Sequence, residues 1–118
     1  MKLKEEKVSA TYPYQGRILK VEEAKVRCPN GNIDSREVIR HNPAAAILAL
    51  TSEGKIILER QYRYAYDEIL YEIPSGKQDE HEDPIQIALR ELEEETGFYA
   101  HHMECLGKMY PSCGYTDE

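Results

Sequence analysis

Polar and apolar residues alternate through the first forty positions, then give way to apolar runs and finally to a helical stripe. Val8, Ala10, Tyr12 and Tyr14 predict a strand over 7–14; Ile18, Val21, Ala24 and Val26 predict a second over 17–28. Asn30-Gly31 is a hairpin signal, because both residues tolerate the positive φ of a tight turn, so 33–40 should run back antiparallel. Pro43 separates this ribbon from 44–51, a near-continuous apolar run suited to a central strand. Glu53-Gly54 turns the chain into 55–63, where Ile56, Ile57 and Leu58 should be buried. A further strand is expected over 69–73, stopped by Pro74 and feeding Gly76, and another over 102–110.

One segment has the helical period. Asp83 is a good N-cap, Pro84 suits the first helical position and Gly97 suits the residue just past the end. Between them Ile85, Ala88, Leu89, Leu92 and Thr96 form one apolar stripe. Glu91, Glu94 and Glu95 are related by three- and four-residue steps, so they project together from another face. Like charges at that spacing cost about a few tenths of a kcal/mol per pair. The negative end of the helix dipole adds to the penalty. A solvated acidic face is one reading of this cluster. The other is a hard divalent cation, which reverses both penalties and leaves positions open for phosphate oxygens.

Composition narrows the choice. A chain of 118 residues has room for one domain with a modest core. A formal charge of −7 and a pI near 5.1 argue against a general nucleic-acid or membrane binder. No apolar run approaches the length of a membrane span, and residues 1–7 lack the apolar core of a signal peptide. Cys28, Cys105 and Cys113 are odd in number and lack paired spacing, which predicts reduced thiols and a cytoplasmic location. Asp79, Glu80 and Asp83 are expected to face water, as is Glu93.

The stretch from Gly76 to Phe98 resembles the signature box of the Nudix hydrolases, G-x5-E-x7-R-E-U-x-E-E-x-G-U, where U is a bulky apolar residue. Gly76, Glu82, Arg90, Glu91, Glu94, Glu95 and Gly97 meet every fixed position, with Leu92 and Phe98 at the U places. The resemblance implies the Nudix fold, an α/β (α+β) arrangement with a mixed sheet sandwiched between helices. Residues 1–42 would be an antiparallel ribbon that forms a dimer, and 43–118 a partial hydrolase core. The strand and second helix that complete such a core are expected beyond residue 118. The resemblance further implies that Glu91, Glu94 and Glu95 are the catalytic carboxylates and bind Mg²⁺ or Mn²⁺, helped by the Ser75 carbonyl. Gly76, Glu82, Arg90 and Gly97 would be structural, with Glu82 and Arg90 forming an ion pair that pins the loop to the helix. The reaction would be metal-assisted hydrolysis of a diphosphate linked to a group X. Its general base would come from a loop downstream of the box.

Beyond the box the chain is similar to the ADP-ribose pyrophosphatase group at Gly16–Lys20, Arg36-Glu37, Gln61-Tyr-Arg63, Glu72–Gly76 and Tyr110–Glu118. In that group the ribbon packs across a two-fold homodimer. Tyr14 and the Arg36–Glu37 pair would then frame an adenine, and Arg63 would reach the phosphates or terminal ribose. The residue types suit those roles, since aromatic faces stack on bases and arginine forks onto phosphate. A plain surface charge pair is the alternative for Arg36 and Glu37, and simple packing for Tyr14. One position departs from the group: Cys113 stands where a turn proline is usual, which weakens the ADP-ribose assignment. Hydrolysis of ADP-ribose to AMP and ribose 5-phosphate is still the leading expectation. Another nucleotide sugar or a dinucleotide is the alternative substrate, and a non-catalytic nucleotide-sensing module the alternative role.

Overall fold

A computed structural model describes residues 2–78 and 81–118, so Asp79 and Glu80 lie outside the described residues. The strands are β1 (Glu6–Gln15), β2 (Lys20–Arg27), β3 (Ile33–Arg40), β4 (Ala44–Ala46), β5 (Glu59–Arg63), β6 (Glu68–Glu72) and β7 (Ser75–Lys77), and the helix is α1 (Pro84–Thr96). They form an α+β arrangement of antiparallel ladders, β1-β2-β3, β4-β7 and β5-β6. Two compact units result: residues 1–41 with 108–118, and residues 42–107.

The first unit is a three-stranded meander. Gly31, at φ 88°, makes the β2–β3 turn, with its N–H bonded to the Cys28 carbonyl at 2.8 Å. Pro13 cannot donate to the ladder, and the β1–β2 register shifts between Thr11 and Tyr14. Glu22, Ala24 and Val26 of β2 point to one buried face. The buried Glu22 carboxylate is answered by Arg40 at 2.7 Å and Lys7 at 3.8 Å. Thr116 pairs with Ile39 in a parallel bridge, and Ile39 donates to the Tyr115 carbonyl at 2.7 Å, so the last residues lie along β3.

In the second unit α1 packs on β4 and β7. Ile47, Ala88 and Leu92 form its buried cluster, flanked by Ala45, Ala49, Ala100 and Met103. Asp83 accepts a bond from the Ile85 N–H at 3.1 Å, and Gly97 takes φ 74° while donating to the Glu93 carbonyl. Ile87, outside the expected stripe, is fully buried.

Three expectations change. Only 44–46 of the 44–51 run is laddered; the rest is extended, with a single bridge between Leu50 and Ile56. Ile56 and Leu58 are half exposed, because the one described helix covers the 45–49 segment and not theirs. No strand forms over 102–110 among the described residues, where no neighbouring segment offers a ladder.

Candidate active site

Each turn of α1 between residues 90 and 95 carries an acid or its cationic partner. Glu91 leans onto the backbone of Gly76 in β7: a Cβ at position 76 would collide with the Glu91 Cγ and Cδ atoms. Glycine is thus required for a close approach rather than for its φ. The Glu91 side chain is 17% exposed and that of Glu94 62%, so the helix turns the first inward and the second outward. Arg90 explains part of that division. Its guanidinium contacts both Glu82 oxygens at 3.0 and 3.1 Å, reaches Glu91 at 3.5 Å, and lies 4.0 Å from Glu94. Gln78 fastens the same loop by donating to the Glu82 carbonyl at 2.6 Å.

Glu95 has a different environment. Its carboxyl accepts from the Ser75 backbone N–H and shares a hydrogen bond with Glu59 of β5. Desolvation pushes its pKa up to about 7, aided by Glu59 and the nearby charge of Glu91 and opposed by the Ser75 N–H. The residue is exposed as a whole, so it is local desolvation at its carboxyl that chiefly disfavours the charge. Two like charges, Glu59 and Glu72, occupy one rung of the β5–β6 ladder. Arg63 relieves them by forking onto Glu72, its Nε donating at 2.6 Å, which holds the Glu72 carboxyl below the usual range.

Glu91, Glu95, Ser75, Gly76 and Arg63 are therefore brought into one neighbourhood. The donor set suits a hard divalent cation: carboxylate oxygens on one helix face, and a backbone with no side chain in the way. Among the described residues no three His, Cys, Asp or Glu converge closely enough to hold an ion as they stand. Arg90 draws Glu94 and Glu91, while Glu59 and Glu95 hold each other.

Tyr14, Arg36 and Glu37 all fall in the ribbon unit. Tyr14 is paired with Val21 and its ring lies over Gly16, 58% exposed. Arg36 is committed to Glu5 through two contacts and to Asp34 at 2.9 Å. Glu37, one residue on, points to the opposite face of β3. A depression of about 790 Å³ opens at this strand edge, lined by Glu5, Arg36, Glu37, Cys113 and Tyr115 among others. Arg36 and Glu37 meet there across the edge, not on a shared face.

The NUDIX domain profile matches residues 40–117. The chain belongs to the Nudix family. Residues 5–39 match a second profile, the nucleoside diphosphate sugar hydrolase N-terminal domain. Relatives of the Nudix chain include a protein from Bacillus methanolicus named methanol dehydrogenase activator. It is 44% identical over 99% of this chain and 64% of its own length. An ADP-ribose pyrophosphatase of Bacillus subtilis is 39% identical over 98% of this chain and 63% of its own. A crystal structure of an ADP compounds hydrolase superposes with a TM-score of 0.84 at 24% identity, covering 96% of this chain and 62% of that one. That likeness shows the Nudix fold. The chain thus spans somewhat under two thirds of the relatives it matches.

Among the acids of the neighbourhood, Glu59 escaped the sequence reading, and Glu72 entered it only within the Glu72–Gly76 similarity, with no role. Glu59 gave one signal: it breaks the aliphatic run Ile56-Ile57-Leu58 with a carboxylate in a strand otherwise suited to burial. All three cysteines are free thiols, and no helix among the described residues is long and apolar enough to cross a membrane.

Proposed function

We propose that this Nudix chain acts in divalent-cation-dependent pyrophosphate hydrolysis. Its substrate would be a nucleoside diphosphate linked to X, with ADP-ribose, cleaved to AMP and ribose 5-phosphate, as the first candidate. The observation that carries the reading is the convergence of Glu91 and Glu95 on the Ser75–Gly76 backbone. Glu91, Glu95, Glu94 and the Ser75 carbonyl are the groups that would hold Mg²⁺ or Mn²⁺. Such a cation supplies charge neutralisation of the diphosphate and a more acidic attacking water. The chain itself does the positioning. Gly76 leaves the space in which the Glu91 side chain packs against the backbone, and the Ser75 N–H orients the Glu95 carboxyl. The Glu82–Arg90 pair ties the loop to α1, and Arg63, set by Glu72, presents a planar cation beside the acids. Tyr14, Arg36 and Glu37 are proposed to frame the base, in a cytoplasmic homodimer built through residues 1–42.

The support for ADP-ribose is the 39% identity to the Bacillus subtilis ADP-ribose pyrophosphatase, together with the matched N-terminal profile. A second reading, a nucleotide-sensing module that acts on a partner enzyme, is favoured by the 44% identical activator from Bacillus methanolicus. Turnover separates them. In the full-length protein with Mg²⁺, Glu94→Gln and Glu95→Gln should each lower AMP release from ADP-ribose by about 10²-fold or more. Rates that stay at the wild-type level in both variants would remove these carboxylates from the chemistry. Binding of ADP-ribose with no turnover would favour the sensing role.

A further inference from the structure

The depression at the edge of β3 has one wall that the ribbon strands do not supply. Cys113, Gly114 and Tyr115 complete a rim begun by Glu5 and residues 35–38. They belong to a turn that closes on the Ser112 carbonyl, which accepts from the Tyr115 and Thr116 N–H groups at 3.2 and 3.1 Å. What fixes this turn against the sheet follows it directly. Ile39 donates to the Tyr115 carbonyl at 2.7 Å, and the Ile39 carbonyl accepts from the Asp117 N–H at 3.3 Å and the Thr116 hydroxyl at 3.0 Å. An edge pairing this short is weak by itself. The Asp117 carboxylate reinforces it, accepting from the His41 N–H at 2.7 Å and pairing with Arg40 at 3.2 Å. Arg40 is held in turn by the buried Glu22 at 2.7 Å. A chain of bonds therefore ties the wall to the interior of the ribbon.

Tyr115 brings to that rim its one aromatic ring, 57% exposed. The other lining groups include the Arg36 guanidinium, already committed to Glu5, and the Glu37 carboxylate. A flat apolar face beside polar groups suits a nucleoside base, which stacks through its face and hydrogen-bonds through its edge. We infer that Tyr115 is a stacking contact for the base of the nucleotide, and that Asp117 is the positioning residue that holds it at the rim. The inference rests on the nucleotide-hydrolase reading given above. It differs from a covering role, in which 115–117 only shield the open edge of β3. Tyr115 serves the edge through its backbone carbonyl, so changes to its ring separate the two roles.

The experiment measures AMP binding to the full-length protein by isothermal titration calorimetry, with melting recorded for each variant. Tyr115→Leu should raise the AMP Kd about tenfold, the size of a lost stacking contact, and Tyr115→Phe should restore it. Asp117→Ala should raise the Kd by a similar factor and the KM for ADP-ribose with it, while kcat is kept. Asp117→Asn should recover most of the binding, because its amide oxygen can still accept from the His41 N–H. Wild-type affinity in Tyr115→Leu overturns the base contact, and wild-type affinity in Asp117→Ala overturns the positioning role. Either result leaves the hydrolase reading intact. A wild-type protein that binds neither AMP nor ADP-ribose overturns that reading and this inference together.

Discussion

Among the described glycines Gly76 has the tightest surroundings. Any Cβ there meets the Cγ and Cδ of Glu91, which are the flexible end of a side chain rather than fixed backbone. Gly76→Ala can therefore be accommodated by swinging Glu91 aside, at a stability cost toward the low end of the roughly 1–3 kcal/mol typical of overpacking. Its effect on function should be far larger, since a shift of about 1 Å in a positioned group can cost about 10²-fold in rate. The expected result is a fall in kcat of that order with a melting temperature lowered by only a few degrees. A variant with unchanged kcat would mean that Glu91 need not sit against this backbone. The Glu91 and Glu95 spacing was legible in the sequence because it depends only on helical period. Glu59 was not, because a strand residue meets a helix only through the sheet register, which no local pattern encodes.

At the scale of elements, the ends of α1 could be read directly, since Asp83, Pro84 and Gly97 act through their own backbone neighbours. The three-stranded ribbon was equally legible from alternation and the Asn30-Gly31 turn. Strand β4 stops after Ala46, and 102–110 forms no ladder, because strands need partners that lie far away in sequence. The ribbon also carries an acid-sensitive lock. Glu22 is held below its ordinary pKa chiefly by its bond from Arg40. Asp117 is held below its own chiefly by the His41 N–H. Carboxylates with depressed folded pKa values contribute stability that is complete above their unfolded values of 4.5 and 3.8. That contribution is lost as pH falls through the lower folded values. Melting temperature should therefore fall more steeply from pH 5 to pH 3 in the wild type than in a Glu22→Gln/Asp117→Asn double variant. Parallel acid curves for the two proteins would show that these pairs contribute nothing to the ribbon.

For the molecule as a whole, the Nudix family, the α+β class and the approximate order of elements were all available from the box and the hydrophobic pattern. What the chain alone could not supply was burial across the 48–58 segment, where Leu48, Leu50, Ile56 and Leu58 are each half exposed or more. Apolar pattern states which side chains favour burial, but covering them takes an element placed against them. The functional account joins both levels, a signature helix that supplies charge and a glycine-bearing strand against which Glu91 of that helix packs. The most direct test is a Mg²⁺ titration of AMP release from ADP-ribose by the full-length protein after stripping with EDTA. The account predicts negligible release without the ion and a saturable rise as it is restored. Release that proceeds at the same rate throughout the titration would contradict it.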